Sequence, residues 1–247
     1  MNILLLNPNM STSMTESMHA AAESVVSPSV QLLPVTASRG FPYISSRAEA
    51  QIAGALVLEM LAEHRSDVDA AVIAAFGDPG LLAAREIFDF PVIGMAQAAI
   101  SAASLLGERF SIVTFSPRMS RWYLDSVESS GLSEKFTGVR TPDSDSLDPL
   151  GTQDAMQSEL LVQIDRAIKL DGADVVILGG APLAGMASRL QPSSAAVLID
   201  PMGCAVTLAE SLVKITGNSA LANRHTKPAA KATVGLPQPL ATIFEHD

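Results

Sequence analysis

Apolar residues are distributed along this chain in two ways. Short unbroken runs, NILLL at Asn2, AAVIAAF at Ala70, PVIG at Pro91, FSIVTF at Phe110, VVILGG at Val175 and AVLID at Ala196, alternate with longer stretches. In stretches such as AEAQIAGALVLEMLAEHR and TQDAMQSELLVQIDRAIKL the apolar positions recur every three or four residues, which predicts amphipathic helices. A continuous apolar run with no polar alternation predicts a strand covered on both faces, as in a parallel sheet flanked by helices. Polar turn residues follow the runs. After NILLL comes NPNMSTSMTESMHAAAE, where Asn, Pro, Ser and Thr break the strand and then offer side chains that can cap a helix.

The layout occurs twice. NPNMS at Asn7 resembles SPRMS at Ser116, 109 residues on, and RWYLDSVESSGL continues from the second with helical spacing until Gly131. DAAVIAAFGDPGLLAARE from Asp69 matches DVVILGGAPLAGMASRL from Asp174 at an offset of 105, and Ile93 matches Ile199 at 106. Three matches in one order predict a duplicated fold. The expected architecture is α/β: two pseudo-symmetric Rossmann-like lobes with mostly parallel sheets and a cleft between them. The expected boundaries put 1–97 plus 206–247 in lobe 1 and 98–205 in lobe 2. Ligands of such sheets sit beyond the carboxyl ends of the strands, where the repeated turns fall. Asn7 and Ser116 are therefore expected at equivalent positions across one cleft.

Composition narrows the function. In 247 residues, 48% are hydrophobic and 17% charged, which suits a folded domain. A formal charge of −10 leaves no basic stripe for a nucleic-acid backbone. One cysteine, Cys204, excludes an internal disulfide and a Cys-rich metal site, and the four histidines lack the spacing of a helical metal pair. No metal is expected. The apolar run at the start is too short for a membrane span and lacks the basic flank of a signal peptide, so the cytoplasm is the expected location. The last stretch, from Asn223, is rich in Pro and Ala and carries Arg224, Lys227 and Lys231; it reads either as a tail lying on its own surface or a neighbouring subunit, or as disorder.

Small residues at the ends of the apolar runs, Gly77, Gly80, Gly179, Gly180 and Ala181, would let backbone N–H groups approach an anionic oxygen closely. Asn7, Ser11, Thr12, Thr114 and Ser116 add side-chain donors, with helix capping as the competing role for Ser11 and Thr12. Phe76 and Pro182 flank the same turns. Tyr43, in the Gly- and Pro-punctuated loop RGFPYISSRAE, is a candidate to reach over the cleft, or else packs without chemistry. Asp78 is the ionisable residue of FGDPG: it is either a base with a raised pKa or a turn and helix cap, and Asp200 in LIDPMG has the same two readings. Cys204 begins a predicted helix, where a thiol pKa can fall, although a lone cysteine in apolar surroundings is commonly a small hydrophobe.

The motifs NPNxSxxMT (Asn7, Pro8, Asn9, Ser11, Met14, Thr15), AFGDPGLLAARE, PVIGMAQAA, LGERFSIVT and ILGGAPLAGMA together resemble the aspartate/glutamate/hydantoin racemase superfamily, nearest its hydantoin racemase branch. The resemblance runs over about residues 1 to 215. It implies two α/β lobes with a small-molecule substrate between them, no metal and no organic cofactor, and a homo-oligomer. It also implies two thiols, one per lobe, one removing a proton from the substrate carbon and the other returning one. At those two positions this chain has Ala75 and Gly180. Neither side chain titrates, so neither replaces a thiol as base. The resemblance thus implies an enzyme acting on a small carboxylate or cyclic ureide through an enolate-like intermediate. An isomerase or lyase, a decarboxylase among them, and a small-anion-binding protein or inactive racemase all stay open.

Overall fold

Two four-stranded parallel sheets, built to the same plan, form the molecule. The computed structural model describes residues 1–143, 153–216 and 227–246. In lobe 1 the elements run β1 (Asn2–Asn7), α1 (Thr12–Glu23), β2 (Gln31–Thr36), α2 (Arg47–His64), β3 (Ala70–Ile73), α3 (Leu81–Ile87) and β4 (Val92–Gly94). The chain continues through α4 (Met95–Leu106) into β5 (Phe110–Val113), α5 (Ser120–Ser130), β6 (Phe136–Arg140), α6 (Gln153–Asp171), β7 (Val175–Leu178), α7 (Met186–Leu190) and β8 (Val197–Ile199). It ends with α8 (Pro201–Thr216) and α9 (Gln238–Glu245). The sheet orders are β2-β1-β3-β4 and β6-β5-β7-β8.

The apolar runs form the strands because both sheet faces are covered. Along β1, Ile3 and Leu5 join one core cluster while Leu4 and Leu6 join another on the opposite face, and all four are almost fully buried. Each such side chain contributes roughly 1.5–3 kcal/mol by leaving water. The edge strands β2 and β6 were not expected from the sequence. Their residues are half-buried or exposed and include Pro34 and Gly138, both tolerated at an edge.

The ladders set the equivalence of the two lobes. Leu6 pairs with Ile73, and Val113 with Leu178; Ala74 N–H donates to the Leu6 carbonyl at 2.8 Å, and Gly179 N–H to the Val113 carbonyl at 2.9 Å. Asn7 therefore corresponds to Thr114, and Asn9 to Ser116. The expected pairing of Asn7 with Ser116 is two residues out, because similar letters in the two turns reflect shared turn chemistry whereas the ladder fixes position in space. Ile93 beside Val72 and Ile199 beside Ile177 keep the expected correspondence.

The helices after the last strands change sides. α4 packs against β7 and β8, α8 against β1, β3 and β4, and the two helices lie against each other between the lobes. α9 covers α2, burying Leu240 and Ala241, and the stretch before it lies on lobe 1, with Lys227 paired to Asp89 at 2.6 Å and Lys231 N–H donating to Phe244 O at 3.0 Å. The tail from Lys227 onward thus lies on its own surface; Asn223 to Thr226, including Arg224, fall outside the described residues. No helix among the described residues is long and apolar enough to cross a membrane.

Candidate active site

The carboxyl ends of β1, β3, β5 and β7 converge on a cavity of about 30 Å³ between the lobes. It is lined by Asn9 and Met14 from the first turn and helix, Tyr43 and Ile44 from the loop after β2, Ala75 and Phe76 after β3, Phe115 after β5, Trp122 and Tyr123 on α5, and Gly180, Ala181 and Pro182 after β7. Ala75 and Gly180 thus meet in one hollow. Met10 N–H donates to the Phe41 carbonyl at 2.9 Å and ties the Tyr43 loop over the first turn.

Of the candidate residues, Tyr43, Ala75, Phe76, Gly180, Ala181 and Pro182 line this cavity. Gly179 and Thr114 are buried below it: a Cβ on Gly179 would meet Ile112, Tyr123 and Phe76 at 2.9–3.3 Å. Gly77 and Gly80 face a separate outer groove.

The other candidates are occupied elsewhere. Asn7 is fully buried; its Nδ2 donates to Asn9 Oδ1, Ser11 O and Thr15 Oγ1 at 2.9–3.1 Å, and its Oδ1 accepts from Asn9 N–H at 3.1 Å. It builds the turn and has no donor left for a ligand. Ser11 is the N-cap of α1, accepting from Met14 N–H at 3.3 Å, and Thr12 is an exposed first residue of that helix. Ser116 accepts from Arg118 N–H at 3.3 Å and caps a short 3₁₀ turn.

Asp78 is a cap. It accepts from Ala96 N–H and Gln97 N–H at 2.8 Å each, closing the N-terminus of α4, and its φ of +51° is one that Asp tolerates better than most residues. Gly94 is required beside it, since a Cβ there would come within 2.3 Å of the carboxylate. Loss of water around the carboxylate pushes its pKa up to about 6, against the pull of the two amides and Arg85. The raised pKa comes from enclosure at a helix end, and the group lines the outer groove instead of the cavity. Asp200 likewise accepts from Gly185 N–H and from Met202 N–H at 2.9 Å, with burial raising its pKa. Cys204 sits in the first turn of α8 away from the cavity, where burial and then the nearby Asp200 push its thiol up to about 12. It is a small hydrophobe at the edge of the core. Helix position alone suggested a lowered pKa, and desolvation outweighs it.

The sequence reading missed Asn9 as a donor and the aromatic pair Trp122–Tyr123. Asn9 Oδ1 accepts from Ser11 N–H at 2.8 Å, while among the described residues its Nδ2 has only Met14 Sδ, at 3.6 Å. Tyr123 is 2% exposed, and its hydroxyl lies 3.3 Å from where a Cβ on Gly180 would stand. A phenol therefore flanks Gly180. Its ring meets Phe76 edge-on, with centroids 4.6 Å apart. Burial raises its pKa, and the nearby Thr114 hydroxyl pulls it back in part. Thr114 Oγ1 is itself a buried polar atom without a well-formed hydrogen bond among the described residues. Two adjacent aromatics just past a repeated turn, in a chain with only 4% aromatics, were the available signal.

Backbone donors lie at the hollow. The N–H groups of Ala75, Phe76, Gly180 and Ala181, which line it, form no hydrogen bond to a described residue. Gly180 has φ +126°, a backbone state that a side chain rarely adopts. Within the lining, the groups that can carry charge are the two tyrosines.

A profile of Asp/Glu/Hydantoin racemase matches residues 3–209. This chain belongs to the Asp/Glu/hydantoin racemase family. It is 34% identical over 233 residues to the hydantoin racemase of Paenarthrobacter aurescens, covering 94% of this chain and 99% of that one. Among solved structures, allantoin racemase from Klebsiella pneumoniae superposes with a TM-score of 0.89 at 35% identity, covering 97% of this chain and 98% of that one. Arylmalonate decarboxylase shares the fold alone, with a TM-score of 0.55 at 12% identity and all of both chains covered. These likenesses place the chain in the hydantoin racemase branch of a fold with two parallel-sheet lobes.

Proposed function

We propose that this chain is a cofactor-independent lyase that removes carbon dioxide from a small carboxylated carbonyl compound of the cyclic ureide class. One observation carries the reading: the cavity brings Ala75 and Gly180 together with free backbone N–H groups and a phenol, and with no side chain that acts as a base near neutral pH. Racemisation or isomerisation by proton abstraction has nothing there to begin it. Decarboxylation needs no base. The ureide class is supported by full-length similarity to proteins named hydantoin and allantoin racemase.

In this mechanism the aromatic walls, Phe76 and Phe115, hold the planar ring, and Asn9 Nδ2 orients it. The C–CO₂⁻ bond breaks, its electron pair passes to the neighbouring carbonyl oxygen, and carbon dioxide leaves. Backbone N–H groups at the ends of β3 and β7 stabilise the enolate oxygen. Tyr123 then gives its hydroxyl proton to the carbon, and the phenolate recovers a proton from water. The balance is one proton consumed and one carbon dioxide released per turnover. The phenol stays protonated until the enolate forms, because burial disfavours its charged form.

The test uses hydantoin-5-carboxylate and 5-methylhydantoin in D₂O. Carbon dioxide release from the first without hydrogen exchange at C5 of the second supports the proposal. Rapid C5 exchange with no carbon dioxide release overturns it.

A further inference from the structure

Trp122 separates two hollows. Its indole lines the inner cavity of about 30 Å³ and also an outer groove of about 700 Å³ bounded by α2 and the start of α3 on one lobe and α5 on the other. The inner volume has room for about two or three water molecules, at roughly 10–15 Å³ each. Small-molecule sites usually span about 300–1,000 Å³. A ring compound therefore enters only if a wall moves.

Most walls are fixed. Ala75 and Gly180 follow buried strands, Asn9 is held in its turn, and the Tyr43 loop is tied through Phe41 and through Ser45, whose N–H and hydroxyl donate to Glu49 at 2.6 and 2.9 Å. The Trp122 indole N–H makes no hydrogen bond to a described residue. The ring lies against Gly77, so close that a Cβ there would stand 2.3–2.7 Å from indole atoms. A swing of the ring toward the groove would join the two volumes that it separates. One clasp crosses the groove from lobe to lobe: Arg47 Nε and one terminal nitrogen donate to the two oxygens of Asp125 at 2.5 Å, and the guanidinium also reaches Arg121 O at 3.1 Å. Both partners are substantially exposed, so the clasp shifts an equilibrium by at most about fivefold.

We infer that the outer groove is the antechamber of the site, that Trp122 is the door between antechamber and cavity, and that the Arg47–Asp125 pair latches it. The inference rests on the cavity being the substrate site proposed above. The chain has one tryptophan, so indole fluorescence reports this residue alone.

Acrylamide quenching of the full-length protein tests it without substrate. The wild type, with Trp122 at 7% exposure, should quench weakly. Asp125→Asn should raise the quenching constant, by up to about fivefold, and the double exchange Arg47→Asp with Asp125→Arg should bring it back. Gly77→Ala should raise quenching further, because the added methyl displaces the ring. Circular dichroism monitors folding; if Gly77→Ala fails to fold, the Asp125 variant and its exchange partner decide the matter. Unchanged quenching in folded Asp125→Asn overturns the latch, as does an increase that the exchange fails to reverse. Unchanged quenching in folded Gly77→Ala overturns the door. Quenching needs no turnover, so a failure to release carbon dioxide would count against the proposed reaction and not against this inference.

Discussion

Placing thiols at positions 75 and 180 separates chemistry from scaffold, and the lobes should respond unequally. Ala75 already carries a Cβ beside the cavity, so Ala75→Cys adds one sulfur atom to an existing direction and should cost about 1 kcal/mol, the low end for an enlarged buried side chain. Gly180 is different. Its φ of +126° strains any side chain, by about 1–3 kcal/mol, and its Cβ would stand 2.8 Å from Phe115 Cε1 and 3.3 Å from the Tyr123 hydroxyl. Overpacking adds about 1–3 kcal/mol. The sum, about 2–6 kcal/mol, is a large part of a native stability of about 5–15 kcal/mol. For a protein of this size each kcal/mol lowers Tm by roughly 2–4 °C, so a mid-range cost of about 4 kcal/mol lowers it by roughly 8–16 °C. Thermal unfolding followed by circular dichroism measures this, and C5 hydrogen exchange of 5-methylhydantoin by NMR measures racemase chemistry. Gly180→Cys should melt well below the wild type and Ala75→Cys close to it, and the double variant should exchange hydrogen slowly or not at all. A Gly180→Cys protein that melts with the wild type, or a double variant with brisk exchange, would refute the packing argument.

Three further changes probe residues that the structure moved out of the cavity. Asp78 has a folded pKa of about 6 against 3.8 for the free group, so between pH 4 and 6 the native state holds more protons than the unfolded chain. Stability should therefore fall as pH rises through that window, by up to about 3 kcal/mol, and Asp78→Asn should remove this slope at the cost of one cap bond; Tm against pH shows both. Cys204→Ala should leave turnover unchanged, and the wild-type thiol should react slowly with a disulfide reagent at pH 8 because it stays protonated. Asn7→Ala should cost about 2–3 kcal/mol in denaturant unfolding by stranding buried partners in the first turn; a change in KM with stability intact would contradict its assignment as a turn builder.

Which parts of the molecule were legible in the sequence follows from where information is stored. The central strands β1, β3, β5 and β7 are buried on both faces, so their apolar runs and their repetition are visible in one dimension. The edge strands β2 and β6 are half-exposed, and Pro34 and Gly138 hide them. That Ala75 and Gly180 share one cavity could be read because they follow the ends of duplicated strands. The roles of Asn7 and Asp78 could not, because they depend on who takes each hydrogen bond. Asp78 spends its carboxylate on Ala96 and Gln97, in a helix on the far side of another strand. Tyr123 reaches Gly180 across 57 positions of sequence, and only the parallel order of β5 and β7 brings them together.

In the proposed reaction the buried Tyr123 phenol beside Gly180 supplies the proton to an enolate formed without a base. The most direct measurement follows hydantoin-5-carboxylate bearing a 5-methyl group in D₂O and resolves the configuration of the deuterated product. The wild type should give one enantiomer carrying one deuterium, and Tyr123→Phe a rate lower by about 10²–10⁴-fold with that preference lost. Undiminished, stereospecific deuteration by Tyr123→Phe would contradict it.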